Sequence, residues 1–179
     1  GSTVVTKSPR HLNIERNESD AWDLITLLMG RLGPLGRAEL QADRLEDTIA
    51  RSQGALVAVR SRADLDALIA RRAAGERVIG ALLGIEGAHA LEGDVANLDV
   101  VFARGFRMIG LTHFFDNEFA GSAHGAEKGG LTDAGRVLIR RMEQLGVLVD
   151  LAHVSRRAVH GVLGMAARPV LVSHRGARG

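Results

Sequence analysis

The sequence contains no cysteine and no tyrosine, and aromatic residues make up only 3% of its 179 residues. Without cysteine the chain forms neither disulfides nor thiolate metal sites, so histidine, aspartate and glutamate would have to hold any metal ion. Lys7 and Lys128 are the only lysines, and arginine carries the rest of the positive charge. Nucleic-acid-binding proteins usually present a dense basic stripe and stacking aromatic rings. The net charge of +2 and the few aromatics therefore argue against a nucleic-acid partner.

Long hydrophobic runs are missing as well. No stretch approaches the roughly 18 apolar residues that a membrane-spanning helix needs, so we predict no membrane segment in this chain. The first residues, Gly1–Val5, do not show the basic and then apolar pattern of a signal peptide. This favours a cytoplasmic location, but export stays open if the natural chain begins further upstream.

Short apolar segments alternate with capped helices along most of the sequence. We predict a strand at 3–6, helices near 20–29 and 38–51, and a break at 30–36 around Pro34. Further strands are predicted at 55–59, 78–85, 106–112, 147–151 and 169–172, with the 78–85 run forming one buried strand. The helices between them cover 63–73, 94–103, 133–145 and about 156–166, with Ser61, Thr132 and Ser155 as caps and Gly146 as a stop. Apolar strands alternating with helices predict an α/β fold with a parallel sheet.

Four consecutive strands end with a side chain that can bind a metal ion or carry a proton. These side chains are Glu86, His113, His153 and His174. In a (β/α) barrel the active site lies at the carboxyl ends of the strands, so side chains far apart in sequence converge there. We therefore predict a metal-dependent hydrolase site. Carboxylate and imidazole ligands without thiolate suit zinc, or else iron, manganese or nickel.

The other polar candidates carry less weight. His11 and His160 are interpreted as surface residues, and His89 as a locally packed one. His124 lies in the glycine-rich loop of residues 117–130, above the predicted site, and is a candidate for contact with substrate. Asp150 has the opposite strand parity to His153, so a structural role is expected for it.

Several motifs resemble the membrane dipeptidase family, which comprises renal dipeptidase and its bacterial relatives and consists of dinuclear zinc peptidases. The matching stretches are Gly84–Leu91, Leu111–His113, Val149–Ser155 and Val172–His174, with Thr3–Pro9, Asn13–Asn17, Phe114–Asn117 and Ser122–Gly125 resembling a bacterial branch. The likeness covers essentially the whole chain in the family's order. It implies a (β/α)8 TIM barrel of the metal-dependent hydrolase type.

The resemblance also implies roles for individual residues. Glu86 would be the carboxylate that bridges two zinc ions, and His153 and His174 would bind one of them. His113 would contact the substrate and stabilise the tetrahedral oxyanion formed when a metal-bridging hydroxide attacks. Substrates would be dipeptides, often with a D-residue at the carboxyl end.

Two departures from the family pattern qualify these expectations. No His-x-Asp pair, which binds the other zinc in the family, lies upstream of Glu86, since His11-Leu12-Asn13 has asparagine instead. The family's late aspartate and substrate-binding arginine would fall beyond the end of this chain. A full barrel takes about 250 residues. We therefore expect residues 1–179 to form a single incomplete barrel domain that lacks the first and last strands.

Such a fragment is expected to be inactive on its own and to bind at most one zinc ion. Its open sheet edges would favour self-association, so a homo-oligomer is one expectation. Two alternatives to a dipeptidase stay open on the sequence alone. One is another metal-dependent barrel amidohydrolase acting on a cyclic amide or ester, and the other is a truncated, non-catalytic fragment that binds a metal ion or a partner.

Overall fold

The structure, a computed structural model, describes residues 32–174. The chain divides into two compact units, Gly1–Gly33 and Pro34–Gly179, and all helices and strands below belong to the second. The strand predicted at 3–6, the helix predicted near 20–29 and His11 lie outside the described residues.

Strands and helices alternate along the second unit. The elements are α1 (Pro34–Arg51), β1 (Leu56–Ala58), α2 (Arg62–Ala73), β2 (Ile79–Ala81), β3 (Leu83–Ile85), a 3-10 helix (Ala88–Leu91), α3 (Asn97–Ala103), β4 (Phe106–Gly110), α4 (Asp133–Leu145), β5 (Leu148–Asp150) and α5 (Arg156–Leu163). Among residues 32–174 no helix is both long and apolar enough to cross a membrane.

All the strand pairs of the described chain are parallel, which confirms the predicted α/β class. β1 pairs with β2, and β3, β4 and β5 form a second sheet in that order. In the second sheet Ile109 is the register partner of both Ile85 and Val149. A parallel bridge between Asp150 and Leu171 extends the same order by one more segment.

The apolar run 78–85 is not the single buried strand that the sequence predicts. It forms β2 and β3, which pair with different neighbours and are separated by Leu82. The side chain of Ile79 is 64% exposed, and the register shifts between Leu83 and Gly84. A run of apolar residues carries no information on where a strand changes partner or bulges, so the break was not visible in the sequence.

The helix caps agree with the prediction, because they depend on local chemistry. The hydroxyls of Ser61, Thr132 and Ser155 accept hydrogen bonds from backbone amides of the first turns of α2, α4 and α5. Gly146 adopts the left-handed conformation, with a φ of 74°, and ends α4. Such a cap favours glycine, which has no Cβ to clash with the backbone.

Other boundaries differ from the prediction. Pro34, interpreted as part of a break, starts α1 instead, since a proline at the first helical position loses no intrahelical hydrogen bond. α3 begins at Asn97 and not at 94, because the Asp94 carboxylate accepts from the Ala96 amide in a preceding turn. α5 ends at Leu163, before 166. The segment predicted as a strand at 169–172 forms only a bridge to β5. In it the Leu171 amide donates to the Val149 carbonyl, and the Leu151 amide donates to the Leu171 carbonyl.

The hydrophobic core lies between the second sheet and the helices that follow its strands. Its fully buried members include Leu98, Ile109, Leu111, Leu138, Ile139 and Met142. Leu138 and Met142 lie one turn apart on α4, and both are buried. α2, in contrast, has no buried residue. Among the described residues, the buried core therefore packs mainly against the sheet of β3, β4 and β5.

Replacing Leu138 by alanine should lower the free energy of unfolding by about 2–5 kcal/mol, because it leaves a cavity in this core. The matched control is Val137→Ala on the same helix, where the valine is 53% exposed and a change within about 0.5 kcal/mol is expected. Denaturant unfolding of the purified protein measures both. Equal effects of the two substitutions would contradict the assignment of the buried face of α4.

Candidate metal centre

The register of the second sheet brings four predicted site residues to one edge. Gly110 is the partner of Asp150, and Asp150 is bridged to Leu171. His113, His153 and His174 each follow one of these paired residues by three positions. Glu86 directly follows β3. Because each histidine lies three residues beyond a paired position, side chains that are distant in sequence meet at this edge.

The four side chains are in direct contact. The Nε2 atom of His153 lies 2.9 Å from Glu86 Oε1 and 2.7 Å from His174 Nε2. His174 Nε2 is 3.0 Å from the same carboxylate oxygen, and His113 Nε2 is 3.5 Å from it. Glu86, His113 and His153 form a group whose potential ligand atoms all lie within 4.8 Å of one another.

The chemistry of this cluster fits a cation. An ionised carboxylate only accepts hydrogen bonds, and a neutral imidazole carries a single ring proton. Two N–H groups cannot face each other across the 2.7 Å between His153 Nε2 and His174 Nε2, so at least one of these nitrogens presents a lone pair. A divalent ion would satisfy that lone pair together with those of Glu86 Oε1. Two ligands on one tetrahedral zinc, each about 2.0–2.1 Å from it, lie about 3.3 Å apart. The observed separations of 2.7–3.0 Å are close to that spacing.

The backbone of His153 is held in an unusual conformation. Its φ is 62°, in the left-handed region that non-glycine residues seldom adopt and that costs about 1–3 kcal/mol. Its carbonyl accepts from the Ala123 amide at 2.7 Å and lies 3.2 Å from the Thr112 hydroxyl and 3.3 Å from the Ser122 hydroxyl. These contacts hold the residue in the conformation that turns its ring towards Glu86.

Ser122 connects the backbones of the histidines, a role that sequence reasoning missed. Its side chain is fully buried, and its hydroxyl lies 2.5 Å from the His113 carbonyl as well as near the His153 carbonyl. It also accepts a hydrogen bond from the His124 amide at 3.1 Å. The signal available in the sequence was only a serine two residues before His124, which does not predict this contact.

Aromatic rings line the open side of the cluster. The Phe114 ring centroid is 4.2 Å from that of His113 and 5.4 Å from that of His124. The His124 ring is itself 5.4 Å from the His153 ring. Phe114 and Phe115 are both exposed. The predicted substrate-contact residue His124 thus lies beside the cluster and next to the exposed apolar ring of Phe114.

Asp150 holds together the strand ends beneath the cluster. It is buried, and its Oδ1 accepts from the backbone amides of Ala152 and Ser173, each at 3.0 Å. Its Oδ2 accepts a short hydrogen bond from the Ser173 hydroxyl, which in turn lies 2.9 Å from His174 Nδ1. Through Ser173, Asp150 is therefore also connected to His174. Ser173 lies two residues beyond Leu171, the partner of Asp150, and so on the same face.

His89, interpreted as locally packed, lies against the same strand end. Burial lowers the pKa of its imidazole, and the opposing effect of Glu118 is smaller. Among residues 32–174 its Nε2 has no hydrogen-bond partner. A Cβ on Gly87, whose φ is 93°, would approach the His89 ring to 2.8 Å and the Cβ of His113 to 3.1 Å. Glycine is required at this position both for the backbone conformation and for close packing.

The carboxylate of Asp116 organises the glycine-rich loop above the centre. Its oxygens accept from the amides of Ser122 at 2.7 Å and Glu127 at 2.8 Å. These bonds lower the pKa of Asp116, with the Ser122 amide as the largest cause. A Cβ on Gly125 would collide with the carboxylate. The loop that carries Ser122 and His124 therefore closes around one charged group.

Parallel strands with a carboxylate–imidazole cluster at their carboxyl ends define an α/β protein with the features of a metallohydrolase. A family model described as membrane dipeptidase (peptidase family M19) matches residues 22–179. The match spans most of the sequence, and the chain belongs to this family. The predicted resemblance is thereby confirmed.

Named relatives match the chain over part of their length. An uncharacterized dipeptidase of Schizosaccharomyces pombe is 40% identical over 113 residues, which covers 61% of this chain and 27% of the relative. A dipeptidase of Aspergillus oryzae is 38% identical over 98 residues, covering 54% of this chain and 23% of the relative. The chain thus spans about a quarter of the length of these relatives.

Solved structures share the fold. The crystal structure of the probable dipeptidase PvdM of Pseudomonas aeruginosa aligns with a TM-score of 0.66 and 25% identity, covering 76% of this chain and 35% of that protein. A metallo peptidase of Rhodobacter sphaeroides, solved with a phosphinate mimic of the dipeptide L-Ala-D-Ala, aligns with a TM-score of 0.65 and 22% identity. That alignment covers 74% of this chain and 38% of that protein. At this identity the second likeness supports the fold alone.

The loop should depend on the charge of Asp116. Because its folded-state pKa is lowered, its stabilising effect is complete above the unfolded pKa of about 3.9 and is lost as pH falls through the lower folded value. An NMR pH titration should show the amide resonances of Ser122 and Glu127 moving together below pH about 4. Asp116→Asn should abolish that transition and speed amide exchange at both positions.

The matched control for this titration is Asp133→Asn, which changes a fully exposed carboxylate and should leave both amides unchanged. Amides that titrate at or above the ordinary aspartate value, or that behave alike in the two variants, would contradict the role of Asp116.

Proposed function

We propose that the protein containing this chain is a zinc-dependent dipeptidase that hydrolyses the peptide bond of dipeptides. The observation that carries the proposal is the convergence of Glu86, His153 and His174 within 2.7–3.0 Å at one edge of a parallel sheet. The dipeptidase names of its relatives support the same chemistry. Since the chain spans about a quarter of those relatives, the activity belongs to the whole protein.

We interpret the described fold as a sector of a (β/α)8 barrel, within one incomplete catalytic domain over residues 1–179. The order of β3, β4, β5 and the segment at Leu171 supports this interpretation, because each next strand in sequence is the next neighbour in space. In such barrels the catalytic groups lie at the carboxyl ends of the strands, where this cluster is found.

Glu86, His153 and His174 would hold the zinc ion. Imidazole nitrogen and carboxylate oxygen are typical zinc ligands when thiolate is absent. When bound, zinc polarises a carbonyl and lowers the pKa of a bound water molecule, which provides a nucleophile at neutral pH. His153 is well prepared for its role, since hydrogen bonds at its carbonyl fix its backbone before any ion binds.

His113 would bind the substrate carbonyl. Its Nε2 is farther from Glu86 Oε1, at 3.5 Å, than the corresponding atoms of His153 and His174. A ring N–H at this position can donate to the oxygen that becomes negatively charged when the peptide carbon turns tetrahedral. A donor that is already oriented towards such an oxygen lowers the barrier because little reorganisation is needed.

A side chain of a dipeptide would contact the exposed ring of Phe114, with His124 beside it. A dipeptide with a D-residue at its carboxyl end is one candidate substrate, as membership of the membrane dipeptidase family implies. Small, apolar side chains would suit an open aromatic surface.

The chain by itself is proposed to bind at most one zinc ion and to be inactive. Among residues 32–174 Glu86 is the only carboxylate of the cluster and could bridge to a second ion. The family's His-x-Asp pair does not occur upstream of it. Ligands for a second ion would have to come from elsewhere in the complete protein.

In the complete protein, His153→Ala should remove most of the bound zinc, and so should Glu86→Gln through the loss of a ligand charge. His113→Ala should retain zinc but lower kcat about 10²–10³-fold, the usual effect of losing one oxyanion donor. Elemental analysis of each variant and steady-state kinetics with dipeptides give the two measurements.

The matched control is His160→Ala, which changes an exposed histidine on α5 and should leave both zinc content and kcat unchanged. Loss of zinc from His113→Ala would make His113 a ligand and overturn its assigned role. Retention of full zinc by His153→Ala would overturn the proposed centre.

A panel of substrates tests the reaction class. The complete, zinc-loaded protein should cleave L,L- and L,D-dipeptides, and a chelator should abolish the activity. Turnover of lactams or lactones without any dipeptide cleavage would instead assign the protein to another group of metal-dependent amidohydrolases. No turnover of either class would favour a non-catalytic binding role.

A further inference from the structure

Ser173 lies between a buried carboxylate and a histidine of the cluster. Its Oγ contacts Asp150 Oδ2 on one side and His174 Nδ1, at 2.9 Å, on the other. The opposite nitrogen of the same imidazole, Nε2, faces Glu86 Oε1 at 3.0 Å. Asp150, Ser173 and His174 thus form a continuous chain of polar contacts that ends at the cluster.

The direction of the hydrogen bonds in this chain follows from the groups present. The Asp150 carboxylate also accepts from two backbone amides, those of Ala152 and Ser173, so it acts as the acceptor at this point. The Ser173 hydroxyl has one proton and donates it to Asp150. Its oxygen then has only lone pairs to offer His174, and Nδ1 must carry the ring proton.

A proton on Nδ1 of the neutral ring leaves Nε2 with its lone pair. That lone pair points at Glu86 Oε1 and at His153 Nε2, which is 2.7 Å away. A ligating histidine needs such a bare nitrogen, and the partner of the other nitrogen decides which tautomer is present.

We propose that Ser173, supported by Asp150, is a positioning residue that holds His174 in the Nδ1–H tautomer and so keeps Nε2 ready for a metal ion. The inference rests on the proposed function in one respect, that His174 is a ligand. Beyond that function, it identifies the Ser173 hydroxyl as the group that orients the His174 ring. The rival arrangement is a doubly protonated ring that donates from Nε2 to Glu86.

The hydroxyl can be removed without releasing the backbone around it. Ser173 is also held by its own amide, which donates to Asp150 Oδ1, and Leu171 makes two ladder bonds with the backbone of residues 149 and 151. Ser173→Ala therefore removes the tautomer-setting contact and keeps these attachments. Ser173→Thr retains the hydroxyl, and the position is exposed enough to accept one more methyl group.

The first readout is the tautomer in the metal-free protein. Nitrogen-15 NMR of the imidazole side chains at neutral pH distinguishes protonated from bare ring nitrogens. For His174 we expect Nδ1–H with a bare Nε2 in the wild type and in Ser173→Thr. We expect a mixture of tautomers in Ser173→Ala. The same single tautomer in Ser173→Ala, or two protonated nitrogens in the wild type, would overturn the proposal.

The second readout is zinc affinity of the complete protein, measured by competition with a chelator. Ser173→Ala should weaken zinc binding about 10–100-fold, the usual effect of losing a group that orients a ligand, and Ser173→Thr should restore it. Ser52→Ala is the matched control, because it removes a hydroxyl that connects α1 and β1 through the carbonyls of Ile49 and Leu56 and touches no residue of the cluster. Thermal melting of the metal-free variants detects any general loss of folding.

His174→Ala distinguishes a failure of the proposed metal centre from a failure of the positioning role of Ser173. If it retains full zinc affinity, His174 is not a ligand and the proposed centre is wrong in that respect. If it loses zinc while Ser173→Ala binds as tightly as the wild type, the centre stands and only the positioning role of Ser173 is refuted.

Discussion

The parallel register that joins β4, β5 and the segment at Leu171 is the constraint on which the candidate site depends. Gly110, Asp150 and Leu171 are paired in one row, and a histidine follows each of them by three residues. A slip of one residue in a strand would turn alternate side chains to the opposite face. The histidines would then separate, and Asp150 would lose its place beneath Ser173. The buried residues Ile109 and Val149, which pair in the same register, oppose such a slip.

A second constraint is the loop that closes over this row. It fixes the backbones of His113 and His153 through Ser122, while Asp116 fixes the loop itself. The left-handed conformation of His153 is unfavourable by itself, and the hydrogen bonds at its carbonyl offset that strain. Loop and sheet therefore support each other: the sheet sets the position of each histidine, and the loop sets its orientation.

The sequence was most informative where the cause is local. Ser61 and Thr132 cap helices through amides three residues away, so their roles could be predicted from their own surroundings. The convergence of Glu86 with the histidines could also be predicted, because each of four consecutive apolar strands is followed by a side chain that can bind a metal ion.

Contacts between distant segments were not predictable. The break at Leu82 depends on which neighbour each half of the strand pairs with. Ser122 acts on carbonyls 9 and 31 residues away, and nothing in its sequence surroundings indicates them. Ser173 acquires its role only because Leu171 is the partner of Asp150, which is a property of the register.

The proposed binding of an ion and the proposed catalysis would make different demands on this cluster. Within the described residues the side chain of His153 is only 16% exposed, but those of Glu86 and His174 are 48% and 54% exposed. Coordination depends on ligand geometry, which the sheet and loop already fix. The proposed stabilisation of an oxyanion by His113 would depend also on exclusion of water, because the same donor is worth far less in a medium of high dielectric constant. A bound dipeptide lying against Phe114 would supply part of that cover, so the ordering of substrate and the strength of the His113 hydrogen bond should be coupled in the complete protein.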